Sequence, residues 1–227
     1  MTDDATKKPD HKVLGLALAL VAAAAFTYAC VVSTWLYNPR NKVFYEVGFG
    51  LTSTFECAPS IDGAKGPCRS MSNRALVDTW HEQLAEIRER VKDDQADLQN
   101  QVFVAQAADE LRASNAFPAL GWITLVCAAL AALSLFTCVA LVLAKKRVAW
   151  PIMPTTTAIL GIAVGLIVGC VFVALKPGPP GYVGVGMGFW AFGIGVIAGI
   201  VSTLMLNKLL RPHDPDLLAD TMDPEHY

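Results

Sequence analysis

The sequence predicts an all-α membrane protein: a four-transmembrane-helix bundle with one disulfide-linked extracytoplasmic module of short strands and a long amphipathic helix. Three observations predict it. Charged residues make up only 17% of the chain and hydrophobic ones 54%, where a soluble domain carries about 25% charged residues. Asp, Glu, Lys, Arg and His are absent from four long stretches. The 82 residues from Tyr37 to Pro118 hold more than half of the charges.

The four stretches are residues 13–36, 119–144, 152–175 and 182–207, each long enough to cross about 30 Å of hydrocarbon, which takes about 20 apolar residues as a helix. Backbone groups in lipid must pair within their own segment, so helices are required. The first stretch follows Lys7, Lys8 and Lys12, a start that also suits a signal peptide. However, Thr27-Tyr28-Ala29 is a poor cleavage site and the apolar run continues past it, so the segment is read as a retained span.

Orientation follows from basic residues in short flanking segments. Lys7, Lys8 and Lys12 (segment 1–12), Lys145 to Arg147 (segment 145–151), and Lys208 and Arg211 (acidic tail 208–227) fall on one side. The outer turn 176–181 has only Lys176. Both termini are therefore expected in the cytoplasm and the loop 37–118 outside, in a multi-pass protein of the plasma (cell) membrane.

The first half of the loop reads as strands, Val43 to Val47 and Leu51 to Phe55, with Gly48 and Gly50 between them. Cys57 and Cys68 then flank a Pro- and Gly-rich stretch. Cys30, Cys127, Cys138 and Cys170 lie within apolar segments, where they suit packing. Cys57 and Cys68 share the outer compartment, so a disulfide is expected, with two free thiols as the alternative.

From Ser72 to Arg112 there is neither Gly nor Pro. Val77, Trp80, Leu84, Ile87 and Val91 recur at steps of three and four, which places them on one helix face. Leu98, Val102 and Ala105 continue the helical pattern beyond Asp93-Asp94-Gln95, where a break or a wet patch is expected. Ser72 or Asn73 can cap the start. The apolar stripe is expected to pack on its own module; the alternative is a coiled-coil-like surface for a partner, for which two or three heptads are short.

Helices in lipid associate through close packing. Gly161, Gly165 and Gly169 are spaced by four, and Gly184, Gly188, Gly195 and Gly199 mark the fourth segment. They are expected to pack the third span on the fourth, or else to form a lateral dimer face. Tyr37, Trp122, Trp150 and Tyr182 fall near span ends, where amphipathic aromatics favour the interface.

The net charge of -2 gives no basic surface for nucleic acid. No acidic or basic residue lies within a span, and proton relays and ion-coupled transport depend on such residues. His81-Glu82 is not followed by the second His of a zinc-protease motif, position 85 being Ala. The expectation is a protein that is no enzyme and has no catalytic residue, no metal and no cofactor.

Trp35 at the end of the first span, Gly50-Leu51, and Cys57 and Cys68 with ten residues between them follow one another in an order that resembles the claudin and peripheral-myelin-protein superfamily. The resemblance covers the whole topology but only these motif residues. Thr52 stands where the family has a second Trp, Cys57 lies farther from Gly50-Leu51, and the segment 72–112 is longer and more charged. The resemblance implies cytoplasmic termini, an outer-loop disulfide, and a role in adhesion, paracellular ion pathways or channel accessory function.

The expected function is a non-enzymatic membrane scaffold whose outer module contacts another membrane protein or a second copy of itself, with the lipid bilayer around its spans. A second expectation is a sensor or transport accessory relaying ligand binding to a cytoplasmic partner. A third is a pore for small solutes, in the form the resemblance permits, an outer-loop pathway between adjacent subunits, for which Glu46, Glu56 and Asp62 are the charges to swap.

Overall fold

The computed structural model describes residues 11–39, 46–59, 65–92, 98–144 and 152–210. Lys7, Lys8, Val43 to Tyr45, Asp62, Asp93 to Gln95, Lys145 to Arg147, Trp150 and the tail from Arg211 lie outside them.

Four helices are long and apolar enough to cross a membrane. They are α1 (His11–Val31), α4 (Ala116–Leu143), α5 (Ile152–Ala174) and α6 (Met187–Leu210). Their lipid-type surfaces are rich in exposed apolar side chains, such as Ile167, Trp190 and Ile197, as expected where the solvent is hydrocarbon. Pro118 sits in the first turn of α4, where its missing N–H costs no helical hydrogen bond.

The helices α2 (Asn73–Arg90) and α3 (Leu98–Glu110) and five strands gather at one end of the bundle. The strands are β1 (Leu36–Asn38), β2 (Glu46–Phe49), β3 (Ser53–Pro59), β4 (Lys65–Ser72) and β5 (Gly184–Val185). They form one antiparallel sheet in the order β4-β3-β2-β1-β5.

Several expected boundaries move. The first span ends at Val31 rather than Leu36, and the fourth starts at Met187 rather than Tyr182. The cause is the pairing of β1 with β5, in which Leu36 opposes Val185 and Tyr37 opposes Gly184. Both span ends are drawn out of helix into one sheet. Tyr37 and Tyr182 consequently belong to the module: the Tyr37 hydroxyl donates to Glu46 at 2.8 Å and the Tyr182 ring stands 5.9 Å from that of Trp80. Trp122 is exposed, as an interfacial aromatic would be.

The expected long outer helix is two helices on either side of the anticipated break. Ser72 caps α2 by accepting a hydrogen bond from the Ala75 N–H. Arg88 and Val91 near the end of α2 face Asn100, Gln101 and Val104 near the start of α3, so the two run antiparallel as a hairpin arm.

The glycines pack only in part as expected. The α5 ridge meets α4 at Gly161, where a Cβ would lie 2.9 Å from the Cys127 carbonyl, while one on Gly165 would lie 3.2 Å from both Cys127 Cβ of α4 and the Phe192 ring of α6. Gly169 lies against Thr124 and Trp35. The α6 glycines face α1: Gly188 meets Trp35 and Val32, Gly195 meets Phe26, and Gly199 meets Phe26, Ala22 and Ile162 of α5. Gly184 is not on a helix at all but in β5. Thus α1 packs chiefly on α6 and α4 on α5. The physical reason is again the β1–β5 pairing, reinforced by hydrogen bonds from Gly186 N–H to Trp35 O at 2.8 Å and from Gly188 N–H to Thr34 O at 3.0 Å. These pin the start of α6 beside the end of α1. Small residues on α1 complement the α6 glycines, since Ala19, Ala22, Ala23 and Ala29 are all fully buried.

Candidate functional site: the sheet-bearing module and its junction with the bundle

Trp35 is the centre of the junction. Its side chain is fully buried, and its indole N–H donates to the Ala29 carbonyl at 2.6 Å. That carbonyl lies in the last turn of α1, where acceptors lack intrahelical partners. The ring contacts continue through the molecule. Phe49 of β2 meets Phe117 of α4 at 5.8 Å, Phe117 stacks on Phe172 of α5 at 4.4 Å, and Phe172 meets Trp35 at 6.1 Å. Trp35 then meets Phe192 of α6 at 5.3 Å, which meets Phe26 of α1 at 5.4 Å. One aromatic chain thus joins the sheet to all four spans. Such rings carry large buried areas and favour edge-to-face geometry.

Gly50 and Leu51 complete the junction. The Trp35 N–H donates to Phe49 O at 2.7 Å, and the Gly50 N–H to Ser53 O at 2.7 Å, so the Gly50-Leu51 turn sits beside the exit of α1. The Leu51 carbonyl rests on α4 at Gly121, where a Cβ would come within 1.8 Å of that oxygen. No side chain fits there. Asn73 holds the turn from the other side: it is fully buried and its amide donates to Gly50 O and Leu51 O, each at 3.1 Å. A polar residue at a helix start suggests only a cap in sequence; this second role depends on the turn folding against it.

The disulfide forms between Cys57 and Cys68, which oppose one another on β3 and β4. Cys57 is fully buried and Cys68 exposed, so the bond ties the edge strand to the interior. Closing a loop of sequence separation 11 stabilises by about 3 kcal/mol in the chain-entropy account.

Two glutamates sit on opposite faces of the sheet, since Glu46 opposes Cys57 while Glu56 opposes Val47. Glu46 pairs with Lys65 and accepts from the Tyr37 hydroxyl. Its hydrogen bond from Lys65, then that from Tyr37, holds its carboxyl below the ordinary glutamate value. Glu56 lies on the face shared with buried Val47 and Phe49, and burial pushes its carboxyl up while Arg69 pulls it back. Burial and the Glu56 charge together raise the Tyr182 phenol. The two carboxylates therefore face apart within the chain.

The expected α2 stripe is divided. Val77 and Trp80 are buried in the module, together with Leu76. Leu84, Ile87 and Val91 are half-buried along the arm. The base of the arm is fastened by His81, whose Nε2 lies 3.0 Å from the Ala113 carbonyl and so must carry the proton, since a carbonyl only accepts. The Gly178 N–H of the outer turn donates to Arg112 O at 2.8 Å. Farther out, α2 and α3 enclose an open groove of about 450 Å³ that includes Arg88, Val91, Val104 and Ala105. Leu98, Val102 and Phe103 on α3 are 72%, 49% and 53% exposed.

Among the described residues, no group of three or more His, Cys, Asp or Glu side chains is placed to hold a metal. Sequence reasoning missed Phe26, Phe49, Phe117, Phe172, Phe192, Asn73 and Gly121. The available signal was an aromatic towards the module end of each span, legible only once those ends are known to converge. Compared with known proteins, the sequence matches no family model and no curated protein.

Proposed function

We propose that this chain is a non-enzymatic membrane scaffold that presents its outer module, and above all the α2–α3 arm, for protein–protein contact. The observation that carries this reading is the contrast within one module: its base is joined to all four spans by buried rings and hydrogen bonds, while the arm beyond it exposes Leu98, Val102 and Phe103. Exposed apolar side chains on a fixed support are what an interaction surface requires. The sheet end faces outward and both termini face the cytoplasm, a reading supported by the positive-inside rule and by a disulfide, which persists in oxidising compartments.

The likeness to the claudin and peripheral-myelin-protein superfamily belongs to this proposal. It is supported by the meeting of Trp35, the Gly50-Leu51 turn and the disulfide-bonded strand β3 in one sheet and its junction. An adhesion or channel-accessory role is the form that likeness favours. The test is photocrosslinking of the full chain in native membranes from positions along the arm. Adducts at Leu84 and Val102 are expected; a chain that forms none from any arm position contradicts the scaffold.

A relay to a cytoplasmic partner is the second reading. It is favoured by β1 and β5, which connect the module to the outer ends of α1 and α6 through main-chain hydrogen bonds. Spin labels at the opposite ends of α1 and α6 should change separation when the arm is bound. An unchanged separation removes the relay.

A further inference from the structure

One row of side chains crosses the sheet on the face of buried Val47 and Phe49. Asn38 opposes Val47, Val47 opposes Glu56, and Glu56 opposes Arg69. Opposed side chains of this kind stand about 4.5–5.5 Å apart. The segment 176–183, between α5 and β5, lies against that row and is tied down at several points. The Asn38 amide donates to the Tyr182 carbonyl at 2.8 Å, and the Tyr182 ring meets Trp80 of α2. The Gly178 N–H donates to Arg112 O at the joint between α3 and α4. Gly178 takes a φ of +83°, and a Cβ on it would lie 2.6 Å from the Tyr182 ring, so the turn folds directly onto that side chain. The segment is therefore a strap across the sheet, α2 and the foot of the arm. Half-buried Glu56 sits beneath it, close enough for its charge to be felt at the Tyr182 phenol.

We propose that the 176–183 strap is a proton-sensitive latch: it holds firmly over Glu56 when that carboxyl is neutral and loosens when it ionises. The inference is independent of what the arm binds. A covered carboxylate loses hydration and needs a counter-charge to offset the loss. The groups around Glu56 supply little. Arg69 of β4 is exposed at the sheet edge, and its attraction is outweighed by burial. The row neighbours on β2 and β1 are uncharged Val47 and Asn38, and α2 contributes Trp80. From the strap come Tyr182, whose phenol keeps its proton, and Lys176, whose ammonium donates to Val183 O at 2.9 Å. Covering Glu56 therefore raises its affinity for a proton. By linkage, closing the strap takes up a proton, so closure is favoured as pH falls and is lost as pH rises through the raised value. The effect reaches the arm because Arg112, which the strap holds, precedes Ala113, where His81 fastens the base of α2.

The test is hydrogen–deuterium exchange of the full chain in lipid nanodiscs between about pH 4 and about pH 7.5, a range that brackets the carboxylate values. Rates are normalised to the intrinsic rate at each pH, and the readout is protection of residues 176–183, which include the Gly178 N–H. Protection should rise several-fold on acidification while that of α6 stays level. A flat profile, or an equal change in α6, overturns the proposal. Glu56→Gln, which fixes a neutral side chain, should give the acid level of protection at neutral pH and abolish the dependence; a variant that still follows the profile of the unsubstituted chain overturns it. Arg69→Gln, at an exposed position, gives an independent check. Removing the one attracting charge should move the midpoint to higher pH, and an unmoved midpoint overturns Glu56 as the proton's site.

Discussion

The base of the sheet-bearing module and its arm are built from adjacent sequence but stabilised in different ways. At the base, each apolar residue has a fixed neighbour: Trp35 is held by Ala29, Phe172 and Phe192, and Leu76, Val77 and Trp80 are buried. Along the arm, Leu84, Ile87 and Val91 are half-covered and α3 turns Leu98 and Val102 outward. One continuous helical periodicity therefore serves two ends. Its first turns complete a core, and its later turns remain as surface. A short two-helix hairpin cannot bury all of its apolar area, so its stability depends on the base from which it projects.

The largest expected break in that contrast is Trp35→Ala, which removes the hub of the aromatic chain and leaves a cavity costing about 3–5 kcal/mol. Thermal unfolding in detergent should show a large loss for the module and the bundle together. Replacing both Cys57 and Cys68 by Ser should cost about 3 kcal/mol, with hydrogen exchange accelerating in β3 and β4 more than in the spans. Gly121→Ala drives a Cβ into the Leu51 carbonyl and should cost about 1–3 kcal/mol; a fluorescent reporter on the module should register its displacement from α4.

The two sheet glutamates sharpen the comparison through pH. Glu46 titrates below its ordinary value in the folded chain, so its stabilisation is present above that value and is lost as pH falls through the lowered one. Glu56 titrates above its ordinary value, so the folded state gains relative stability on acidification and loses it as pH rises through the raised value. Glu46→Gln should destabilise the module at neutral pH, whereas Glu56→Gln should leave it unchanged or steadier. Melting temperatures of both variants between pH 3 and pH 7 check the opposite signs (about that range brackets the carboxylate values). The smallest effect is expected from Phe103→Glu on the exposed arm, within about 0.5 kcal/mol.

Much of this architecture was legible in the sequence because lipid imposes a simple rule. Uncharged stretches of about 20 residues can only be satisfied as helices, and all four appear. Local chemistry gave the Ser72 cap and the early turns of α2, which depend on near neighbours. Long-range pairing was not legible. Tyr182 to Val185 read as span because it is apolar, yet Gly184 and Val185 become a strand because β1, almost 150 positions earlier, offers a free edge. The same pairing decides which helix the α6 glycines meet. Asn73 and Gly121 matter through the Leu51 turn they hold, a contact that no local spacing encodes.

The central claim is that the base is locked to the bundle while the arm is the freely presented surface. Hydrogen–deuterium exchange on the full chain, one copy per lipid nanodisc, tests it most directly. The account expects slow exchange in β2, β3 and residues 73–80, and markedly faster exchange in residues 84–92 and 98–108. Equal protection across base and arm, or a base that exchanges as quickly as the arm, would contradict it.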